Sequence, residues 1–340
     1  MRYRLLGRTG LRVSELYLGA MSFTAEDGGE GTTPGEARKM LDAYSEAGGN
    51  VVDTASAYGE SEEVLGGLLE GRRDRYVLAS KYTISRDGTD PNAAGGHRKN
   101  LVLSLERSLR RLRTDYIDLY WVHVRDRHTP VEETMRALDD AVRAGKILYV
   151  GISNTPAWVV SRANTLAEWR GWTPFAGIQV PYSLLQRDVE RELLPMAEET
   201  GLSVAAYQPL AGGVLSGKYT RPGDAPPGSR IAPDSVTPRD HATAQAVVEV
   251  AAELGAAPSQ VALAWLRQRS PAVHPVVGAR DTAQLRQNLG AVDVVLPGEA
   301  LGRLSAAAEF SPGYPNETIE QSEASTWVFG SAFTGVDGRG

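Results

Sequence analysis

Residues 116–153 read YIDLYWVHVRDRHTPVEETMRALDDAVRAGKILYVGIS and hold one complete strand–helix–strand unit. Tyr116–His123 and Leu148–Ser153 are short, largely apolar runs, as expected of parallel strands covered on both faces. Between them, Val131–Ala144 carries apolar residues at helical spacing. It opens after Pro130, where a missing N–H costs nothing, and closes on Ala144-Gly145, where a left-handed cap fits.

The same unit recurs along the chain. Further strands are expected at Leu16–Ala20, Asn50–Thr54, Tyr76–Lys81, Gly177–Val180, Leu202–Tyr207 and Val273–Val277. Helical patterns alternate with them at Gly35–Ala47, Glu62–Leu69, Arg98–Leu112, Pro156–Leu166 and Val189–Thr200, ending in the pair Ala242–Leu254 and Ser259–Gln268. In Arg98–Leu112, Leu101, Leu105, Leu109 and Leu112 define one face, with Arg and Glu opposite. Eight strands in one unbroken alternation with helices predict an α/β fold, a (β/α)8 TIM barrel, as a single domain over residues 1–340. Such barrels need about 250 residues. The surplus falls in Met1–Ser14, whose Arg8-Thr9-Gly10 reads as a hairpin turn, in the Pro- and Gly-rich 220–240, and in a C-terminal extension over 311–340. Trp327, Phe329 and Phe333 make that extension a candidate apolar lid, or an anchor of the tail to the barrel.

Composition narrows the function. Thirty-six Lys+Arg against 42 Asp+Glu give a net charge of −6, which excludes a strongly basic nucleic-acid binder. With no cysteine, there is no disulfide, no thiolate zinc site and no Cys nucleophile. The first residues carry charge inside their only apolar stretch, unlike a signal peptide, and the longest uncharged run, 200–217, is too rich in Gly to make a membrane helix. A soluble, cytoplasmic protein without membrane partners is expected.

Two phosphate-binding motifs fail. No Gly-x-Gly-x-x-Gly occurs, so a Rossmann site is unsupported. Gly212–Lys218 has P-loop spacing, but Tyr219 follows where Ser or Thr would hold Mg²⁺, and Arg221-Pro222-Gly223 forbids the helix.

Barrel chemistry sits where strands end at the C-terminal rim. Polar residues there are Asp53, Tyr58 in the next loop, Lys81 and His123. Singly each has an ordinary explanation: a helix cap, a packing ring, a solvated charge, a core histidine. Together they form a proton-donating pocket for an oxygen that becomes alkoxide-like. A phenol near pKa 10 donates poorly at neutral pH unless its anion is favoured. A buried Lys81 ammonium would lower that value, Asp53 would hold the ammonium, and His123 would add a second hydrogen bond.

Asp53-Thr-Ala-Ser-Ala-Tyr58-Gly, Lys81 and Trp-Val-His123 resemble the catalytic tetrad of the aldo-keto reductases, barrels that bind NAD(P)H without a Rossmann motif. The similarity runs from Leu6-Gly-Arg-Thr-Gly-Leu-Arg-Val-Ser14 to about Pro297 and looks closest to the branch of bacterial YajO-like reductases and potassium-channel β subunits. It implies Tyr58 as general acid, Lys81 and Asp53 as its tuning pair, and His123 as the group orienting a small-molecule carbonyl substrate.

It further implies a cofactor site. Ser153, Asn154 and Gln179 match the positions that hold the nicotinamide carboxamide, and Tyr207 the aromatic stacked on its ring. Gln208, Pro209, Leu210, Gly212 and Lys218 match the loop over the pyrophosphate, with Arg230 a further contact. Gly278, Arg280, Gln284 and Asn288 match the adenosine end; Gly19, Met21 and Asp53 are further candidate cofactor contacts, with Met21 at the pocket floor. Gln208 stands where Ser is common in that loop, and Gly278 where many members carry Lys. Arg280, before a helix opening at Asp281, favours a 2′-phosphate, so NADPH is expected over NADH. The rival readings are a cofactor-binding regulatory subunit with weak catalysis and a metal-dependent hydrolase using Asp53 and His123. For the latter, His97, His123, His128, His241 and His274 show no paired ligand spacing, and no metal is expected. Substrate choice is expected to rest on the loops 124–130 and 220–240 and on the tail.

Overall fold

The computed structural model describes residues 1–24, 31–220, 231–323 and 325–336. A hairpin comes first, β1 (Tyr3–Leu5) and β2 (Arg12–Ser14), paired antiparallel around the expected turn. Eight strands follow: β3 (Tyr17–Gly19), β4 (Val51–Asp53), β5 (Val77–Tyr82), β6 (Ile117–Val122), β7 (Ile147–Ser153), β8 (Phe175–Pro181), β9 (Ser203–Tyr207) and β10 (Val273–Val277). They close in chain order, with β10 pairing β3 to complete the ring, and every pairing is parallel. This is the expected barrel.

Around it lie α1 (Pro34–Glu46), α2 (Ser61–Leu68), α3 (Arg98–Leu112), α4 (Val131–Arg143), α5 (Ala157–Arg170), α6 (Leu193–Thr200), α7 (Pro238–Leu254), α8 (Pro258–Arg269), α9 (Thr282–Leu289) and α10 (Gly298–Ala307). The tail adds α11 (Asn316–Glu323) and α12 (Thr326–Phe329). The helix expected over 189–200 is broken. Pro195 lacks an N–H and its ring would meet the Arg191 carbonyl, so a short 3₁₀ turn, Asp188–Glu190, precedes α6. The helix expected over 156–166 instead runs on to Arg170 and stops at the left-handed Gly171.

Strand alternation divides the core in two. Side chains facing outward from β3 to β10 pack with the helices, among them Leu101, Leu105, Leu109 and Leu112 of α3. Those facing the axis form a smaller cluster with Tyr17, Val51, Val77, Leu119 and Trp121, which the hairpin's Leu6 and Val13 join. The hairpin therefore plugs the end of the barrel where the strands begin. It is held by Gly7 N donating to Ser203 Oγ at 2.8 Å and Arg4 donating to Pro271 O at 2.6 Å. Gly7 is required there, because a Cβ would lie 2.2 Å from the Ala176 carbonyl oxygen.

In the layer above, Trp121 pairs in register with Lys81 on one side and Gly151 on the other. A Cβ at Gly151 would lie 2.3 Å from the indole, so this glycine lets the Trp121 ring spread across the barrel beneath the rim. In the tail, Phe329 and Phe333 stack with ring centres 4.7 Å apart, while Trp327 is 91% exposed. Asn316 Nδ2 ties this segment to Arg191 O at 2.7 Å. No single helix among the described residues is long and apolar enough to cross a membrane.

Candidate active site

The groups expected to act together converge at the end of the barrel opposite the hairpin. Asp53 ends β4, Lys81 lies in β5, His123 follows β6, Ser153 ends β7, Gln179 lies in β8 and Tyr207 ends β9. Asp53 Oδ2 sits 2.5 Å from Lys81 Nζ, which also donates to Thr54 O at 2.8 Å. Both side chains are nearly inaccessible, Lys81 fully so. The Lys81 ammonium lies 4.9 Å from the Tyr58 ring centre. The His123 ring meets Tyr58 edge-on at 5.7 Å, with the planes at 86°. All four tetrad side chains therefore lie together at this rim.

The electrostatics differ from the expectation in one respect. The Tyr58 phenol is pushed above its ordinary value, by burial first and by the Asp53 carboxylate second. The ammonium was expected to lower it, but Lys81 is hydrogen-bonded to Asp53 and Thr54, and the pair presents little net charge to the ring. Burial also lowers Lys81, against the raising pull of Asp53. His123 is lowered to about 4, by burial and then by Lys81, so its imidazole is neutral at physiological pH. Its Nδ1 is buried without a hydrogen-bond partner among the described residues.

A second set of hydrogen bonds joins the neighbouring loops. Gln179 Nε2 donates to Asp53 Oδ1 at 3.0 Å, and Ser153 Oγ donates to Gln179 O at 2.7 Å. Asn154, in the left-handed region at φ 48°, donates from Nδ2 to His123 O at 2.9 Å and to Ser153 Oγ at 3.0 Å. Tyr207 donates to Asn154 Oδ1 at 3.0 Å, and its own phenol is raised by burial and then by Tyr58. Ser153, Asn154, Gln179 and Tyr207, the positions expected to meet a nicotinamide, are thus bonded into one network with Asp53 and His123.

The remaining expected cofactor positions lie along the chain beyond β9 and β10. From Gln208 the backbone turns repeatedly left-handed, at φ 52° for Gln208, 48° for Ala211, 67° for Gly212 and 103° for Gly213. Such turns present successive N–H groups to an anion. Pro209 is buried, Leu210 half-buried and Lys218 exposed in this segment. After β10, Gly278 and Arg280 are exposed. Asp281 caps α9 by accepting from Gln284 N at 2.7 Å, and Gln284 Oε1 accepts from Arg280 N at 2.8 Å. Asn288 is 2% exposed, and its Nδ2 is buried with no partner among the described residues. A buried amide left unsatisfied is costly, and this one fits a site completed by a bound ligand such as the adenosine end of a dinucleotide. Gly19 ends β3, but Met21, expected on the pocket floor, is 53% exposed. Two residues past the strand end, it stands clear of the packed layer. Arg230 lies outside the described residues. Among the described residues no three His, Asp or Glu side chains converge as metal ligands.

Two residues escaped the sequence reading. Arg111, among the charged residues opposite the leucine face of α3, has a side chain only 12% exposed. Its guanidinium donates to the carbonyls on both sides of Tyr58, Ser56 O at 3.3 Å and Gly59 O. It also pairs with Glu63 at 2.7 Å and with Glu62 at 3.4 Å. Glu62 is itself fully buried and accepts from Ser80 Oγ at 2.6 Å. The sequence signal was the pair Glu62-Glu63 four and five residues past Tyr58, which invites a cation.

The family model described as "Aldo/keto reductase family" matches residues 15–309. The chain is 40% identical to norsolorinic acid reductase stcV of Emericella nidulans, over 92% of this chain and 83% of that one. It is 37% identical to aldo-keto reductase ausK of the same organism, over 96% and 86%. It is also 37% identical to an NADP(+) aryl-alcohol dehydrogenase of Phanerodontia chrysosporium, over 90% and 85%.

Proposed function

Because the chain belongs to the aldo/keto reductase family, we propose that it is an NADPH-dependent reductase of aldehydes and ketones with Tyr58 as general acid. NADH would serve less well. The single observation that carries this reading is the closed tetrad: the Lys81–Asp53 pair at 2.5 Å beneath the Tyr58 ring, with His123 edge-on beside it. Aromatic carbonyls are the favoured substrate class, since the named actions of two relatives concern an aryl alcohol and norsolorinic acid. Those relatives are fungal reductases and dehydrogenases; the expected kinship to YajO-like reductases and channel β subunits adds nothing to this proposal.

When bound, the nicotinamide supplies a hydride to the carbonyl carbon. The protein's part is the oxygen. Tyr58, held protonated by its raised pKa, gives its phenolic proton to the developing alkoxide and regains one from solvent. Neutral His123 offers an N–H to the same oxygen and, being uncharged, does not compete as the acid. Lys81, 4.9 Å from the Tyr58 ring centre and fixed there by Asp53 and Thr54, offsets the Asp53 carboxylate that would otherwise oppose the forming phenolate. Asn154, Gln179 and Tyr207 would hold the nicotinamide end, and Asn288, Gln284 and Arg280 the adenosine end.

The test is steady-state NADPH oxidation with 4-nitrobenzaldehyde. Turnover that follows both concentrations supports the reading. Tight NADPH binding without any aldehyde-dependent oxidation overturns it in favour of a regulatory cofactor-binding protein.

A further inference from the structure

A cavity of about 350 Å³ opens outside the barrel wall, between the first turns of α4 and α5. Its floor is apolar: Val122, Ile152 and Phe175 from β6, β7 and β8, with Val159 of α5, all at most 5% exposed. These strand residues alternate with Trp121, Gly151 and Ser153 of the barrel interior, so the wall separates the cavity from the tetrad. None of the four tetrad side chains lines it.

The rim is cationic. Arg125, Arg127 and Arg162 line it, against the carboxylates of Asp126 and Glu132. Both acids are already engaged. Asp126 accepts from Thr129 Oγ1 at 2.5 Å, His128 N at 2.8 Å and Gly96 N at 3.0 Å. Glu132 is paired with Arg162 at 2.6 Å. Among the described residues, neither Arg125 nor Arg127 has a carboxylate partner. Arg125 instead lies over the Trp158 ring, 5.0 Å from its centre, and Trp158 is 58% exposed. The start of α5 adds to the same sign: it begins on Pro156, which provides no side-chain cap, and its first turn holds no acidic residue.

We propose that this cavity binds small aromatic carboxylates, with the ring on the apolar floor against Trp158 and the carboxylate between Arg125 and Arg127. The volume is at the low end of small-molecule sites, enough for one or two fused rings. An apolar floor favours a ring over a bare inorganic anion, and a planar guanidinium fork matches a carboxylate in two parallel hydrogen bonds. The proposal is independent of the catalytic reading, since the site shares no side chain with the tetrad.

The experiment titrates 2-naphthoate into the full chain, followed by tryptophan fluorescence and by calorimetry. Saturable 1:1 binding is expected, at least about tenfold tighter than for the uncharged 2-naphthalenemethanol and for sulfate. Trp158→Phe should remove most of the fluorescence change. The double variant Arg125→Gln/Arg127→Gln should weaken 2-naphthoate at least about tenfold, while Tyr58→Phe should bind it like the parent. Arg125→Lys keeps the charge and loses the fork and the stacking, so it should fall between. Equal affinity for acid and alcohol overturns the proposal, as does sulfate binding as tightly as naphthoate. So does an undiminished affinity in the double variant, which would place the ligand at the catalytic mouth.

Discussion

Lys81 commits its ammonium to Asp53, at 2.5 Å and out of reach of solvent, rather than to the phenol of Tyr58. Removing one member of such a buried pair leaves the other charge unpaired and costs about 3–5 kcal/mol. Lys81→Met should therefore lower the stability by about that amount and abolish carbonyl reduction. The double variant Lys81→Met/Asp53→Leu should recover most of the stability and none of the turnover. Denaturant titration beside the aldehyde assay reads both. A double variant as unstable as the single would show that the pair is held for reasons other than charge balance.

Tyr58 carries the proposed proton. Tyr58→Phe deletes one hydroxyl and leaves the ring, so NADPH binding should stay within about threefold while turnover falls at least about a hundredfold, the usual range for a lost general acid. The raised phenol sets the pH behaviour. Protonated well past neutrality, it should keep the reduction rate level from about pH 6 to 9, with decline only on the alkaline side. A rate that halves between pH 7 and 8 would mean that a different group donates.

The alternation of strand and helix was legible because buried parallel strands leave short apolar runs, told from the longer periodic helical segments by their length and flanking residues. All eight strands were located on that basis, and the cap read at Gly145 stands at positive φ. That Asp53, Tyr58, Lys81 and His123 come together was legible because strand ends mark the rim. Arg111 was not, since helical periodicity places it on the outward face of α3 and cannot show that the loop after β4 folds over that face. Nor could the sign of the Tyr58 shift be read: it depends on whether Asp53 or the ring receives the ammonium, a matter of ångströms within one pocket.

Arg111 fixes the chain on both sides of Tyr58, through Ser56 O and Gly59 O, and answers the buried Glu62. Arg111→Ala removes both effects. Stability should fall by about 3 kcal/mol for the stranded carboxylate, and kcat by about ten- to a hundredfold for the misplaced hydroxyl. Arg111→Lys separates them. A lysine can still neutralise Glu62 but cannot span two carbonyls, so stability should largely return while kcat stays low and KM for NADPH stays near the parent value. Restoration of kcat together with stability would reduce Arg111 to a scaffold residue.

Acid should unfold this protein through its buried imidazoles. His123 is lowered to about 4 and His274 to about 3, the latter by burial and then Arg4, with Tyr17 stacked on its ring at 4.9 Å. A histidine whose folded pKa lies below its unfolded value near 6.5 takes up a proton on unfolding, so acid favours the unfolded state. Unfolding free energy should be insensitive to these groups above pH 7. It should decline as pH falls through 6.5 toward 4, by up to about 1.4 kcal/mol per unit for each fully responding group. His274→Phe should flatten part of that slope. An unchanged slope would assign the acid sensitivity to carboxylates instead.

Arg280 stands exposed at the start of α9, where the helix N-terminus and a guanidinium would meet the same anion. A 2′-phosphate there gains charge-assisted hydrogen bonds that a 2′-hydroxyl cannot, and one such contact at a wet site is worth about 1.4 kcal/mol, or about tenfold in affinity. Arg280→Ala should therefore raise the dissociation constant for NADPH about tenfold and that for NADH less than about threefold. The gap should narrow at high salt, since screening weakens the phosphate contact and leaves the hydroxyl indifferent. Fluorescence titration of both nucleotides at two ionic strengths measures this, and parallel losses for the two would remove Arg280 from phosphate recognition.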